Sequence, residues 1–282
     1  MDAWRTSVLM AVYHRVQPDH FAQALESMFT QTLAPDEIIV VEDGPLGAPL
    51  LEVLAGFEGR DIPLVRVALP ENRGSAIAAQ AGLEVARHPW IVRMDADDIS
   101  VPERLQTQMT VLREGGIDVI GSAMLEFDGD ATNVVGTRSL PLEHDAIVRY
   151  ARINSPVNNP SAVIRREHLL AVGGYRPVPF MEDYDVFARL LAHGSRFRNL
   201  AEPLVLFRAG AAMFQRRAAP GMLRAERLMQ RNLVSYRLVS RPRSWGNVLV
   251  RSAFRALPRQ ALQRTYRSLF YRRRDHSGES RP

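Results

Sequence analysis

The 282-residue sequence contains no cysteine and no lysine. Without cysteine there is no disulfide, no thiolate nucleophile and no zinc–thiolate site, which fits a reducing compartment. Without lysine there is no Schiff-base amine and no P-loop lysine. All 36 basic residues are therefore arginine. No apolar run reaches the roughly 18–20 residues that a membrane-spanning helix needs. The start, Met1-Asp2-Ala3-Trp4-Arg5, lacks the basic head and apolar core of a secretory signal, so the expected location is cytoplasmic. A G-x-G-x-x-G fingerprint and a G-x-S-x-G elbow are also missing. The seven histidines show no ligand spacing and read as structural or surface residues.

What is present is 46% apolar residues, enough for one large α/β domain or two small ones. The net charge of +5 hides an asymmetry. Residues 1–203 carry 18 Arg against 28 acids, and residues 204–282 carry 18 Arg against 3. Such polarity predicts a functional body followed by a basic tail that meets phosphate.

Short apolar runs at Thr6–Tyr13, Glu37–Val41, Leu64–Val67, Trp90–Met94 and Asp118–Gly121 predict buried strands. Helical patterns lie between them: Phe21, Leu25 and Met28 at helical spacing, an Ala-rich stretch over 76–86, and Leu105, Met109 and Leu112. Asp19 is the expected N-cap of the first, and Ser100 with Glu103 the expected capping box of the third. This alternation predicts an α/β fold with a mostly parallel, Rossmann-like central sheet flanked by helices. Further on, strands are expected at 160–164 and 204–207, and helices at 167–171 and from Glu182 through Leu191. Ligands of parallel sheets sit beyond the carboxyl ends of the strands. Three polar clusters fall there: Glu42-Asp43, Asn72-Arg73 and Asp95-Ala96-Asp97-Asp98.

Three carboxylates in four residues repel one another unless a cation is near, and oxygen-rich sites suit Mg²⁺ or Mn²⁺ bridged to phosphate. The same residues also read as an acidic loop at a helix start. Glu182-Asp183 reads either as ordinary N-terminal helix charge or as a general base for a hydroxyl. Asp43, before Gly44-Pro45, reads as a turn former or as an acceptor for a nucleotide base edge.

Taken together these clusters are more specific. Val8–Tyr13, Ala24–Thr32, Glu37–Gly44, Asn72-Arg73-Gly74, Arg93–Ser100 with Pro102, Arg104, Leu105 and Gln108, Gly173-Gly174-Tyr175, Met181–Asp185, Glu202-Pro203-Leu204 and Phe207-Arg208 occur in that order over about residues 6–217. In this the sequence resembles family 2 of the inverting glycosyltransferases, which have the GT-A fold, and especially bacterial exopolysaccharide members of the amylovoran type. The resemblance implies that Val12 and Tyr13 border the nucleotide base, that Asp43 bonds its edge, and that Arg73 approaches the donor. It implies that Asp95 contacts the ribose or the metal shell, that Asp97 ligates Mn²⁺ or Mg²⁺, and that Asp183 is the catalytic base. Glu182 and Asn158 would lie on the acceptor side. Two departures stand out: Gln80-Ala81-Gly82, where many relatives carry Asn before Gly, and Asn158-Asn159-Pro160, where many carry His-Pro. A Q-x-x-R-W pattern is absent, so single addition is expected rather than processive synthesis.

The expected organisation is a GT-A domain over residues 1–215, with a nucleotide-sugar-binding half over about 1–120 and an acceptor-binding half over about 121–215. Residues 216–282 form a basic helical extension. There Trp245, Val248, Leu249, Phe254, Leu257, Tyr266, Leu269, Phe270 and Tyr271 interleave with arginines, which predicts peripheral contact with an anionic membrane. Asp275 to Pro282 reads as a frayed end. No motif for reading nucleic acid accompanies the charge. The expected reaction is hexose transfer from a nucleotide sugar, most simply a UDP-sugar, to a hydroxyl of a saccharide or lipid-linked acceptor in cell-surface polysaccharide assembly. Sugar nucleotidyl transfer and a catalytically silent membrane-surface module are the competing readings.

Overall fold

The computed structural model describes residues 2–209 and 221–255. Phe254's side chain and everything expected of Leu257, Tyr266, Leu269, Phe270, Tyr271 and the 275–282 end lie outside the described residues. Strands β1 (Thr6–Val12), β2 (Glu37–Glu42), β3 (Leu64–Ala68) and β4 (Trp90–Asp95) are separated by helices α1 (Pro18–Phe29), α2 (Ala48–Phe57) and α3 (Ser75–Val85). Then follow β5 (Ile99–Ser100), α4 (Arg104–Arg113), β6 (Val119–Phe127), β7 (Val134–Arg138), α5 (His144–Ala151), β8 (Val163–Arg165), α6 (Arg166–Ala171), α7 (Glu182–Ala192) and β9 (Phe197–Arg208). Two basic helices, α8 (Met222–Ser235) and α9 (Arg241–Arg255), complete the described chain.

The sheet runs β3-β2-β1-β4-β8-β6-β9-β5, with β7 paired to β6. β1 to β4 are mutually parallel, whereas β8 is antiparallel to both β4 and β6. Both faces of β1, β2 and β4 are covered, which is why they read as largely apolar runs, whereas the edge strand β3 is half-exposed. Val8, Met10, Ile38 and Val92 face α1, α2 and α4 through Phe21, Leu25, Leu54 and Met109. Leu9, Ile39 and Ile91 face α3, α5 and α7 through Leu83, Ile147 and Phe187. A third cluster joins Met181, Tyr184 and Ala188 of the α7 region to Ala225, Met229 and Leu233 of α8.

The structure corrects several local expectations. Gln17, not Asp19, is the N-cap of α1, because Pro18 takes the first helical position, where a missing N–H costs nothing. No capping box forms at Ser100: the residue sits in β5 against β9, its hydroxyl accepts from Arg104 Nη1 at 2.9 Å, and α4 starts after Glu103 without a side-chain cap. The expected strand at 160–164 begins as a 3-10 turn over Asn159–Ser161, where Pro160 cannot donate to a ladder. The expected 204–207 strand is the end of the twelve-residue β9, which accepts Pro203 beside a register shift against β6.

Candidate active site

Val12, Asp43 and Asp95 converge at the carboxyl edge of three adjacent parallel strands. Val12 stands opposite Glu42 and Ala11 opposite Asp95, and the Asp43 amide donates to the Val12 carbonyl at 2.8 Å. Tyr13 follows at the rim, exposed, with its ring edge-on to His14. Asp43 is itself buried, and its carboxylate accepts from the amides of Arg73 at 2.7 Å and Gly74 at 3.0 Å. Each carboxylate oxygen has a second lone pair, so acceptor capacity remains toward a ligand. The Arg73 guanidinium is exposed, 4.0 Å from Glu71.

The approach of the 71–74 loop to Asp43 requires glycine at position 44. Its φ is +83°, and a Cβ there would lie 2.5 Å from the Asn72 nitrogen and 2.9 Å from the Glu71 carbonyl carbon. Both atoms are backbone, so neither swings aside. Gly44→Ala is expected to destabilise the fold by about 1–3 kcal/mol. It should also raise the donor KM more than it lowers kcat, which steady-state kinetics and urea unfolding would check.

The acidic loop after β4 is supported from beneath. Arg104 is fully buried and donates to the Arg93 carbonyl at 2.8 Å, to Ser100 Oγ and to Gln108 Oε1 at 3.1 Å. It places a cation under a cluster of carboxylates. Asp95 and Asp97 are half-buried, and Arg93 Nη2 lies 4.0 Å from Asp95 Oδ1. Asp98 is buried: its Oδ1 accepts from the Arg208 amide at 2.9 Å, while its Oδ2 has no hydrogen-bond partner. Burial, then the charges of Asp95 and Asp97, push the Asp98 carboxyl well above the usual carboxylate range. Arg208 ties the loop to its surroundings, with Nε donating to the Asp97 carbonyl at 3.0 Å and Nη2 to Gln23 Oε1 at 2.9 Å.

Among the described residues no three His, Asp or Glu side chains are arranged to hold a cation alone. Two half-exposed carboxylates beside an orphaned buried oxygen nevertheless fit a divalent ion that shares its shell with phosphate oxygens.

Asp183 opens α7 across this edge. It is half-buried, and Ser155 Oγ donates to its Oδ2 at 3.4 Å. Desolvation, followed by the charge of Glu182, pushes its carboxyl up to about 6. Glu182 accepts a short hydrogen bond from the Ser75 hydroxyl at the start of α3. The buried Tyr175 lies in the fields of both Asp183 and Asp95, and its amide donates to Gln80 Oε1 at 2.9 Å. Gln80, a departure from the family pattern, thus anchors the Gly-Gly-Tyr turn.

Asn158, expected on the acceptor side, is only 1% exposed. Its side-chain Nδ2 donates to the Ser122 carbonyl at 2.8 Å. Ser155 and Ser75 had no individual signal in the sequence, whereas Gln80 stood out only as a departure from the family pattern. A polar groove at the opposite sheet edge, lined by Arg5, Asp36, Glu37, Arg87 and His88, is laced by the Arg5–Asp36 and Arg87–Glu37 ion pairs and lies at the amino ends of the strands.

Comparison with known proteins adds the family. The model of glycosyl transferase family 2 matches residues 7–173. The chain is 33% identical to the amylovoran biosynthesis glycosyltransferase AmsE of Erwinia amylovora over 92% of this chain and 97% of that protein. It is 27% identical to the UDP-Gal:alpha-D-GlcNAc-diphosphoundecaprenol beta-1,3-galactosyltransferase of Escherichia coli, over 91% and 93%. In fold it is similar to the mannosyltransferase PcManGT of Pyrobaculum calidifontis solved with GDP-Man and Mn²⁺, with a TM-score of 0.63 and 17% identity over 94% of this chain and 80% of that one.

Proposed function

The chain belongs to glycosyl transferase family 2, with the GT-A fold, and is a transferase; from that premise we propose that it moves a hexose from a UDP-sugar to a hydroxyl of a lipid-linked saccharide, with inversion. The observation that supports this reading is that α7 starts beside the start of α3, where Glu182 accepts from the Ser75 hydroxyl, and that Tyr175 lies in the fields of both Asp183 and Asp95. The lipid-linked acceptor is supported by the similar Escherichia coli galactosyltransferase, whose name gives GlcNAc-diphosphoundecaprenol as its acceptor.

In this reading Val12 and Tyr13 border the base, and Asp43 bonds its edge while fixing the 72–74 loop along the donor. Asp183 accepts the proton of the acceptor hydroxyl. The hydroxyl oxygen then bonds the anomeric carbon as the carbon–oxygen bond to the diphosphate breaks, and the nucleoside diphosphate leaves with both electrons. A carboxyl held near 6 is mostly ionised at neutral pH yet more basic than an ordinary aspartate. Asp95 and Asp97 would hold Mn²⁺ or Mg²⁺, which when bound neutralises the charge developing on the diphosphate. Glu182 shapes the acceptor side from beside the base.

A thermal-shift series of UDP, GDP and dTDP, with and without Mn²⁺, tests the donor. Saturation at 100 times the dissociation constant stabilises a fold by about 2.7 kcal/mol. A shift with UDP that needs the metal supports the reading, and a shift with GDP or dTDP alone overturns the donor assignment.

Among the described residues no helix is long and apolar enough to cross a membrane. The C-terminal helices nonetheless present an amphipathic outer surface. On α9, Trp245 and Leu249 are 74% and 69% exposed one turn apart, beside exposed Arg241 and Arg243. Exposed Leu223, Leu228, Arg224, Arg227 and Arg231 continue the pattern on α8. We take this surface to rest on anionic lipid at the inner face of the cell membrane, where a lipid-linked acceptor would be met. Replacing both Trp245 and Leu249 by Glu should weaken binding to phosphatidylglycerol vesicles at least about tenfold in a flotation assay. Unchanged binding would remove α9 from the membrane contact.

A further inference from the structure

Asp185, one residue beyond Tyr184 on α7, is fully buried and has three partners. Arg189 Nε donates to its Oδ2 at 2.8 Å. Asn232 Nδ2 and the Tyr236 hydroxyl donate to its Oδ1 at 2.9 and 2.8 Å, and both come from α8 and its C-cap. Burial, then the bond to Asp185, push the Tyr236 phenol up to about 12, which keeps it a donor. Tyr184, between the two aspartates, packs against Met229 and Leu233 of α8 and donates to the Ala151 carbonyl at 2.6 Å.

A second route starts on α9. Asn247 Nδ2 donates to the Arg152 carbonyl at 2.7 Å and to Gln230 Oε1 at 3.0 Å. Arg251 Nε donates to the buried Glu226 Oε2 at 2.7 Å, and its Nη1 donates to the Ile153 carbonyl. Those carbonyls lie three and two residues before Ser155, whose hydroxyl reaches Asp183. Buried polar and charged groups are costly unless they are well paired. A helical tail needed only for lipid or for packing would be served by an apolar contact face. The buried set Glu226, Gln230 and Asn247 instead orients α9 so that two of its side chains meet the 152–153 carbonyls.

We propose that α8 and α9 form a positioning clamp for the catalytic base: Asn232 and Tyr236 fix α7 through Asp185, and Asn247 and Arg251 fix the 152–155 segment that delivers Ser155 to Asp183. The clamp rests on the assignment of Asp183 as base. It makes the C-terminal helices part of the catalytic geometry as well as a surface for the membrane. Small displacements of a positioned group cost large factors in rate.

The test uses the full-length chain with Tyr236→Phe, Asn247→Ala, their combination, and Ser155→Ala. The combined variant should lose about tenfold or more in kcat while the donor KM stays within about twofold. Its acid limb in the pH–rate profile should move upward, because the donation that favours the ionised carboxylate is weakened. Ser155→Ala, which leaves the helix pair untouched, should move the limb the same way. Wild-type kcat and acid limb in the combined variant overturn the clamp. A parallel fall of kcat, donor affinity and melting temperature with the limb fixed also overturns it, since that is mere support of the fold. Should the combination not fold, an unmoved limb in Ser155→Ala and unchanged kcat in Tyr236→Phe overturn it instead. Asp183→Asn separates the two ideas: near-wild-type turnover there removes the base assignment, whereas an inactive Asp183→Asn beside an unaffected combined variant removes only the clamp.

Discussion

Asp183→Asn is expected to keep donor binding and lose transfer by about 10²- to 10⁴-fold, the usual contribution of a positioned general base. The amide is nearly isosteric with the carboxylate but cannot take the acceptor's proton. The wild-type enzyme supplies a companion result. The base works only when ionised, and its carboxyl is raised to about 6. Turnover should therefore be full above that value and fall about tenfold per unit as pH drops below it. The same displacement has a stability consequence of opposite sense. A carboxyl whose folded value exceeds its unfolded value binds its proton more tightly in the fold, so it favours folding at low pH and opposes it as pH rises through about 4 to 6. Removing the charge should thus stabilise the Asn variant at pH 7, by on the order of 1–3 kcal/mol. An inactive protein that melts higher than its parent would be the signature. A variant with near-wild-type turnover would end the assignment.

Asp97→Ala is expected to abolish the Mn²⁺-dependent part of nucleoside diphosphate binding, weakening it about 100-fold, or roughly 2.7 kcal/mol. Asp97 is half-exposed at the end of β4, and Arg208 holds its backbone carbonyl, so truncating its side chain leaves the loop's main supports in place. Calorimetric titration of UDP with and without Mn²⁺ separates the two contributions. Metal-independent binding should be nearly unchanged. If the variant retained the metal-dependent increment, the ion would have to sit elsewhere.

Most of the parallel half of the fold was legible because both faces of β1, β2 and β4 are buried, which writes largely apolar runs into them. Helix α2 was not read, although Leu50, Leu54 and Phe57 carry the helical period on its buried face. The acidic loop and Glu182-Asp183 were legible for a different reason. Clustered carboxylates at strand and helix ends are rare without a use, and their order along the chain matched a family.

The rest of the site is built from contacts that sequence spacing does not encode. Arg208 meets the Asp97 carbonyl across 111 residues, and Arg251 meets the Ile153 carbonyl across 98. In both cases the partner is backbone, which any residue could supply, so no side-chain pattern marks it. Asn158 was expected on the acceptor side from its place in a motif; its burial and the donation of its Nδ2 to the Ser122 carbonyl are set by the fold around it, which the motif does not encode. The basic tail was legible as charge and only partly as structure: Arg251 neutralises the buried Glu226, while Arg241 and Arg243 remain exposed.

The most direct measurement is the product of a single turnover on a lipid-linked sugar acceptor, with a UDP-hexose and Mn²⁺ supplied to the wild-type enzyme. The account predicts one UDP released per sugar transferred and an anomeric proton coupling inverted relative to the donor. Release of pyrophosphate, or a product that retains the donor's anomeric configuration, would contradict it.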